Sequence, residues 1–198
     1  MRDGDRCHSH FLRRVLICIY IKKTCERSLK MELKTALLSR KSCRSYLPKK
    51  VESEKLEQVI TAASLAPLGM PKMGKPHLTV VTDSEMLKKL GYRAGPDRDM
   101  IYGAPALIIV SQKPTRPGLA EMNAACVIEM MALMATDLGL GNIYLYGVTA
   151  ALSKNDELKA ELGIPEGNIP LSRLAVGYGT EDVAICKEFV PSLERNDI

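Results

Sequence analysis

The chain of 198 residues is 46% hydrophobic and 26% charged, with six Cys, ten Met and no Trp, which suits one globular domain and excludes wholesale disorder. Its net charge of +5 divides unevenly: residues 1–30 hold eight of the 28 basic and three of the 23 acidic residues, leaving twenty of each in the remaining 168. An electroneutral body argues against a nucleic-acid partner, and the absence of an apolar run near the roughly 20 residues of a bilayer span argues against a membrane protein.

Residues 15–21 (VLICIYI) lie between Arg13-Arg14 and Lys22-Lys23. The run is too short to span a membrane, and no small-residue cleavage site of a signal peptide follows it. The plainer expectation is that Met31 is the natural start, with residues 1–30 an appended or poorly ordered extension and 31–198 the domain. A structured accessory strand and a membrane-surface anchor are the alternatives. None of the six cysteines forms a CxxC pair or a Cys/His cluster with zinc spacing, so no metal site is expected. Isolated thiols suit a reducing cytoplasm.

From residue 31 the elements follow in order. Residues 31–39 place Leu33, Ala36 and Leu37 on one helical face, and residues 53–66 repeat the pattern through Leu56, Val59, Ile60 and Ala63. Residues 67–76 (PLGMPKMGKP) are a loop by composition. A strand over 77–82, a short helix over 84–90, a Gly/Asp-rich loop over 91–104 and a buried strand over 105–110 come next. Residues 119–138 form the longest helix, apolar nearly all round and so expected to be buried on several sides. Gly139 caps it and Gly141 is expected to permit a close turn. A strand over 143–146, a helix from Ser153 to about Leu162, a strand over 171–176 and a weakly patterned tail complete the chain. Strands that do not alternate regularly with helices favour an α+β sandwich over a doubly wound sheet.

Arg40-Lys41-Ser42-Cys43-Arg44 puts three cations and a hydroxyl into five residues just past a helix. Such a group can close on a phosphate, or merely offset the negative end of the helix dipole. The Gly139-Leu140-Gly141 turn follows a helix and precedes a strand, the reverse of a dinucleotide fingerprint. No paired His supports a Ser/His/Asp arrangement.

Taken in order, these pieces resemble the nitroreductase family. Arg40, Ser42, Arg44 and Tyr46 give an Arg-x-Ser-x-Arg followed by an aromatic; Ala62-Ala63-Ser64-Leu65-Ala66-Pro67 is similar to the family's stretch before its flavin loop. Asp137 to Gly141, Gly163 to Gly167, and Val176-Gly177-Tyr178 are similar to its central-helix turn and closing motifs. The resemblance, over residues 31 to about 182, implies a three-layer sandwich with a mostly antiparallel sheet flanked by helices. It also implies an intertwined homodimer holding FMN at the subunit interface.

The implied activity is transfer of hydride from NADH or NADPH, through FMN, to a nitroaromatic, quinone or related small acceptor, with no catalytic protein acid or base. Arg40, Lys41 and Ser42 match the family's phosphate-side contacts. Arg44 matches the position reaching the ribityl chain or pyrimidine edge, where a cation tunes the ring. Pro67, Leu68, Gly69 and Met70 match the loop lining the ring, Tyr146 and Gly147 the backbone facing it, and Lys187 a C-terminal phosphate cation. The loop departs from the family in lacking its usual Asn and its Gln-Pro-Trp, and Gly179 stands where Pro is common. These changes keep a second reading open: the same fold as a flavin-binding sensor or storage module.

Overall fold

The run Ile108-Ile109-Val110 needs apolar cover on both faces, and the computed structural model, which describes residues 32–91, 99–147 and 149–181, supplies it. Strands β1 (His77–Val81), β2 (Ala106–Gln112), β3 (Gly141–Leu145) and β4 (Ile169–Gly177) form one antiparallel sheet in the order β1-β2-β4-β3. Side chains alternate along β2. Ala106, Ile108 and Val110 join one cluster with Leu174 and Val176, while Leu107 and Ile109 join a second with Ala175, Ile143 and Leu145.

Helices α2 (Ser53–Ala63) and α4 (Leu119–Asp137) cover the first face through Val59, Ala63, Val127, Ile128, Met131 and Ala135. Helices α3 (Ser84–Gly91), α5 (Thr149–Ser153) and α6 (Asp156–Glu161) bring Leu87, Leu90, Leu152 and Leu158 to the second. Helix α1 (Leu33–Ser39) packs on α4. The result is an α+β three-layer sandwich, as the sequence implied. Burying a side chain such as Ile128 or Met131 stabilises it by about 1.5–3 kcal/mol.

Three expectations need correction. The helix from Ser153 is in fact two short helices, because the Asn155 side chain accepts the Leu158 N–H at 2.8 Å and starts α6 afresh. Gly141 makes no turn. It is the first residue of β3, paired with Gly177, and its lack of a side chain lets Cys43 pack against the strand. Gly139, at φ +72°, does cap α4: Leu140 N–H reaches Ala135 O at 2.8 Å and Gly139 N–H reaches Thr136 O at 3.0 Å.

Helix α4 is the third. By length and composition, with mean hydropathy 1.3, this 19-residue helix is apolar enough to cross a membrane, which the reading of apolar runs missed. It is a core helix, covered as expected on several sides by the sheet, α1 and α2, with one stretch left partly open. Met122 is 60% exposed, Ala125 is exposed, and Cys126, Met130 and Leu133 are half-buried along the same stretch.

Candidate functional site

Residues 40–46 leave α1 without forming a regular strand, and they are fixed by β3 and by the chain after β4. Cys43 N–H donates to Asn142 O at 2.9 Å, while Thr180 N–H donates to Ser45 O at 3.1 Å and Leu47 N–H to Tyr178 O at 2.8 Å. The segment expected to be a weakly patterned tail therefore begins as a structural partner of the cation cluster. Buried Asn142 ties this region to α4, its Nδ2 donating to Ala132 O and Thr136 Oγ1, both at 3.1 Å. Tyr46, buried beneath, stays a neutral phenol because desolvation pushes its pKa far above the usual value.

Between these segments lies a cavity of about 480 Å³, lined by Lys41, Ser42, Cys43, Arg44 and Ser45 on one side and by Thr136, Leu140–Asn142 and Gly179–Glu181 on the other. Its size is that of a small-molecule site. Lys41 Nζ lies 2.9 Å from Glu181 Oε2, and the ammonium holds the Glu181 carboxyl below its ordinary range. Arg40 does not line this cavity; it is half-buried at the end of α1, with its N–H on Ala36 O at 2.9 Å.

A second set of charges ties Tyr178, the neighbour in sequence of the cavity's Gly179, to the start of α2. The Tyr178 hydroxyl donates to Glu52 Oε2 at 2.6 Å, and Lys55 Nζ donates to Tyr178 Oη at 3.0 Å and to Leu138 O at 3.1 Å. Lys49 Nζ lies 4.0 Å from the Tyr178 ring centroid. That hydroxyl is the main reason the Glu52 carboxyl titrates down at about 2.

The remaining expected site residues lie elsewhere. Gly69 N–H donates to Asn123 Oδ1 at 2.8 Å, which sets residues 67–70 beside the first turns of α4. Asn123 and Thr136 are thirteen helical residues apart, about 20 Å, so the loop and the cation cluster occupy opposite ends of α4. Tyr146 and Gly147 follow β3 at the sheet end where β2 finishes, about 17 Å along the strand from Gly141, and Tyr146 is 69% exposed. Lys187 and residues 1–30 lie outside the described residues. Among the described residues no group of three His, Cys, Asp or Glu is placed to hold a metal.

Sequence reasoning missed Thr136, Thr180 and Glu181 at the cavity and Asn123 at the loop. The signal for Asn123 and Thr136 was present: a polar residue on the buried face of an otherwise apolar helix requires a partner. Glu181 gave no such signal, since an exposed Glu near a chain end is ordinary.

The nitroreductase family model matches residues 37–95 and 77–178. Two archaeal proteins carry the provisional name NADH dehydrogenase/NAD(P)H nitroreductase. The one from Archaeoglobus fulgidus is 30% identical over 174 residues, covering 86% of this chain and 93% of its own. The one from Methanothermobacter thermautotrophicus is 30% identical over 157 residues, covering 77% and 80%. A nitroreductase with bound FMN from Bacteroides fragilis superposes with a TM-score of 0.73 at 27% identity, covering 85% of this chain and 98% of its own. With the family's model spanning most of the described fold and relatives aligned over most of their own length, this chain belongs to the nitroreductase family.

Proposed function

We propose that the chain is an FMN-dependent oxidoreductase that takes hydride from NADH or NADPH and reduces a nitroaromatic, quinone or similar small acceptor as a homodimer. One observation carries the dimeric reading: the elements expected around one flavin are held about 20 Å apart in a single chain, at the two ends of α4. The helix between them has a half-covered apolar stretch of Met122, Ala125, Cys126, Met130 and Leu133. Burying that stretch against a second copy supplies the cover it lacks, and brings one copy's loop to the other copy's cation cluster.

The cavity's donors fit a phosphorylated flavin. Lys41 and Arg44 provide cations and Ser42 a hydroxyl, a set suited to a phosphate and a polar chain. The chemistry that bound FMN supplies is hydride acceptance from a nicotinamide and its return to an oxidised acceptor. The protein's part is positional. Lys41 and Ser42 bind the phosphate, which competes with Glu181 for the Lys41 ammonium. Arg44 holds positive charge toward the ring, and residues 67–70 with Tyr146–Gly147 enclose it and keep water away. The isolated thiols Cys43 and Cys126 suit a reducing, cytoplasmic setting.

The purified full chain should be yellow, sediment as a dimer, bind FMN stoichiometrically, bleach with NADH or NADPH and recolour in air or with a nitroaromatic. A monomer that neither retains nor rebinds flavin refutes the proposal. Bound flavin that no nicotinamide bleaches identifies the binding-module reading instead.

A further inference from the structure

We propose that Asn123 and Gln112 are positioning residues, a buried amide pair that sets the shape in which residues 67–76 meet the flavin ring; the inference rests on the FMN reading above. Asn123 is 2% exposed in the first turns of α4, and Gln112 is 1% exposed at the end of β2. Asn123 Oδ1 accepts the Gly69 N–H at 2.8 Å, and its Nδ2 donates to Gly69 O at 3.4 Å and to Gln112 Oε1 at 3.5 Å. Gln112 Nε2 donates to Gly74 O at 3.3 Å. The two side chains thus hold the loop's backbone at two points and also hold each other.

The loop needs external anchors. Its own sequence, Pro-Leu-Gly-Met-Pro-Lys-Met-Gly-Lys-Pro, carries no amide or acid side chain. Between the anchors Met70 adopts φ 49° and ψ 54°, a left-handed conformation that a residue with a side chain keeps only where its surroundings impose it. Gly69 is pressed so close to α4 that a Cβ there would lie 2.7 Å from Leu119 Cδ1. Buried amides left without partners are costly, so the pair commits the loop to this one arrangement. The arrangement leaves Pro67, Gly69 and Met70 exposed, free to meet the ring held by a second copy.

The test uses the full chain with Asn123→Leu, which keeps bulk and removes all three bonds, and Gln112→Met, which keeps length and removes the Gly74 anchor. The readouts are affinity for FMN and for riboflavin, visible circular dichroism of the bound flavin, and tryptic cleavage after the exposed Lys72. Asn123→Leu should weaken FMN and riboflavin binding by the same factor, at least tenfold, because the loop lies far from the phosphate end. It should also alter the dichroism and speed cleavage at Lys72 at least tenfold. Gln112→Met should act in the same direction with smaller effect, and it decides the matter if Asn123→Leu does not fold. A folded variant with wild-type flavin affinities and dichroism overturns the inference, even if cleavage is faster. A wild-type chain that binds neither flavin refutes the FMN reading, and this inference with it.

Discussion

Gly141→Ala adds one methyl group at the tightest contact of the cavity wall. Its Cβ would lie 2.8 Å from Cys43 Sγ, 3.0 Å from Cys43 Cβ and 3.3 Å from Gly179 N. Cys43 has little room to retreat, since its N–H is held by Asn142 O at 2.9 Å and its Sγ by Ser45 O at 3.2 Å. Relief must therefore come from residues 42–45 moving together, which deforms the lining of the cavity. Overpacking of this kind costs about 1–3 kcal/mol. Urea denaturation should show a lower midpoint at unchanged slope, and FMN titration a loss of about tenfold or more. Cys43→Ala removes the 2.8 Å contact while leaving the one at 3.0 Å, so the double variant should recover part of the loss. A coupling energy of about 0.5–2 kcal/mol is expected for residues in direct contact. Wild-type stability in Gly141→Ala, or strict additivity with Cys43→Ala, would refute the reasoning.

Arg44→Ala should lower the flavin midpoint potential and slow reduction by nicotinamide at saturating FMN, whereas Lys41→Ala should weaken FMN binding roughly ten- to a hundredfold and leave the potential alone. Redox titration of both variants checks this, and an unmoved potential in Arg44→Ala removes that residue from the ring. Glu181→Gln should tighten FMN binding by freeing Lys41 from its carboxylate partner, and unchanged affinity on titration would count against Lys41 as a phosphate ligand. The depressed Glu52 pKa stabilises the fold fully above its ordinary value of 4.5, and this contribution is lost as pH falls toward about 2. Thermal melts from pH 6 to 2.5 should therefore decline less steeply for Glu52→Gln than for wild type; parallel curves would contradict the Tyr178 hydrogen bond. Finally, a chain shortened to begin at Met31 should fold and bind FMN as the full chain does, tested by melting and flavin titration, because the first thirty residues carry all the net charge and none of the family's motifs.

What the sequence revealed follows from how locally each feature is determined. Strand β1, helix α3 and helix α4 are set by periodicity, Pro and Gly, and their ends were readable to within one or two residues. Helix α2 was overrun by three residues because its last turn tightens, Ser64 N–H reaching Thr61 O rather than an acceptor four back. Strand β3 was started two residues late because Gly141 and Asn142 have weak strand propensity and are held there by Gly177 and Val176, residues distant in sequence. The cation cluster was legible as chemistry, but its placement was not. Nothing local says that Lys41 meets Glu181 or that Arg40 stays off the cavity wall. The separation of the cluster from residues 67–70 is a property of α4's length, visible only once both ends of the helix have their neighbours.

The strand order β1-β2-β4-β3 also bears on how the chain is made. Among the described residues the strand synthesised last, β4, sits in the interior and gives β2 its second neighbour and β3 its pairing partner in the sheet. Until residues 169–177 have left the ribosome, β2 exposes an open edge beside Leu107–Val110, and β3 has no sheet to join. At about 5–20 residues per second, the 57 residues from Gln112 to Ile169 take on the order of 3–11 seconds to appear. During that interval the nascent chain carries a β-branched, apolar strand with one edge unpaired, the kind of segment that chaperones bind and that aggregates when uncovered. Helix α4, whose backbone hydrogen bonds are local, can form in the meantime and shelter one face of β2. Folding of this protein should therefore be late and abrupt, and a message truncated before codon 177 should yield degraded or insoluble product rather than a smaller folded one.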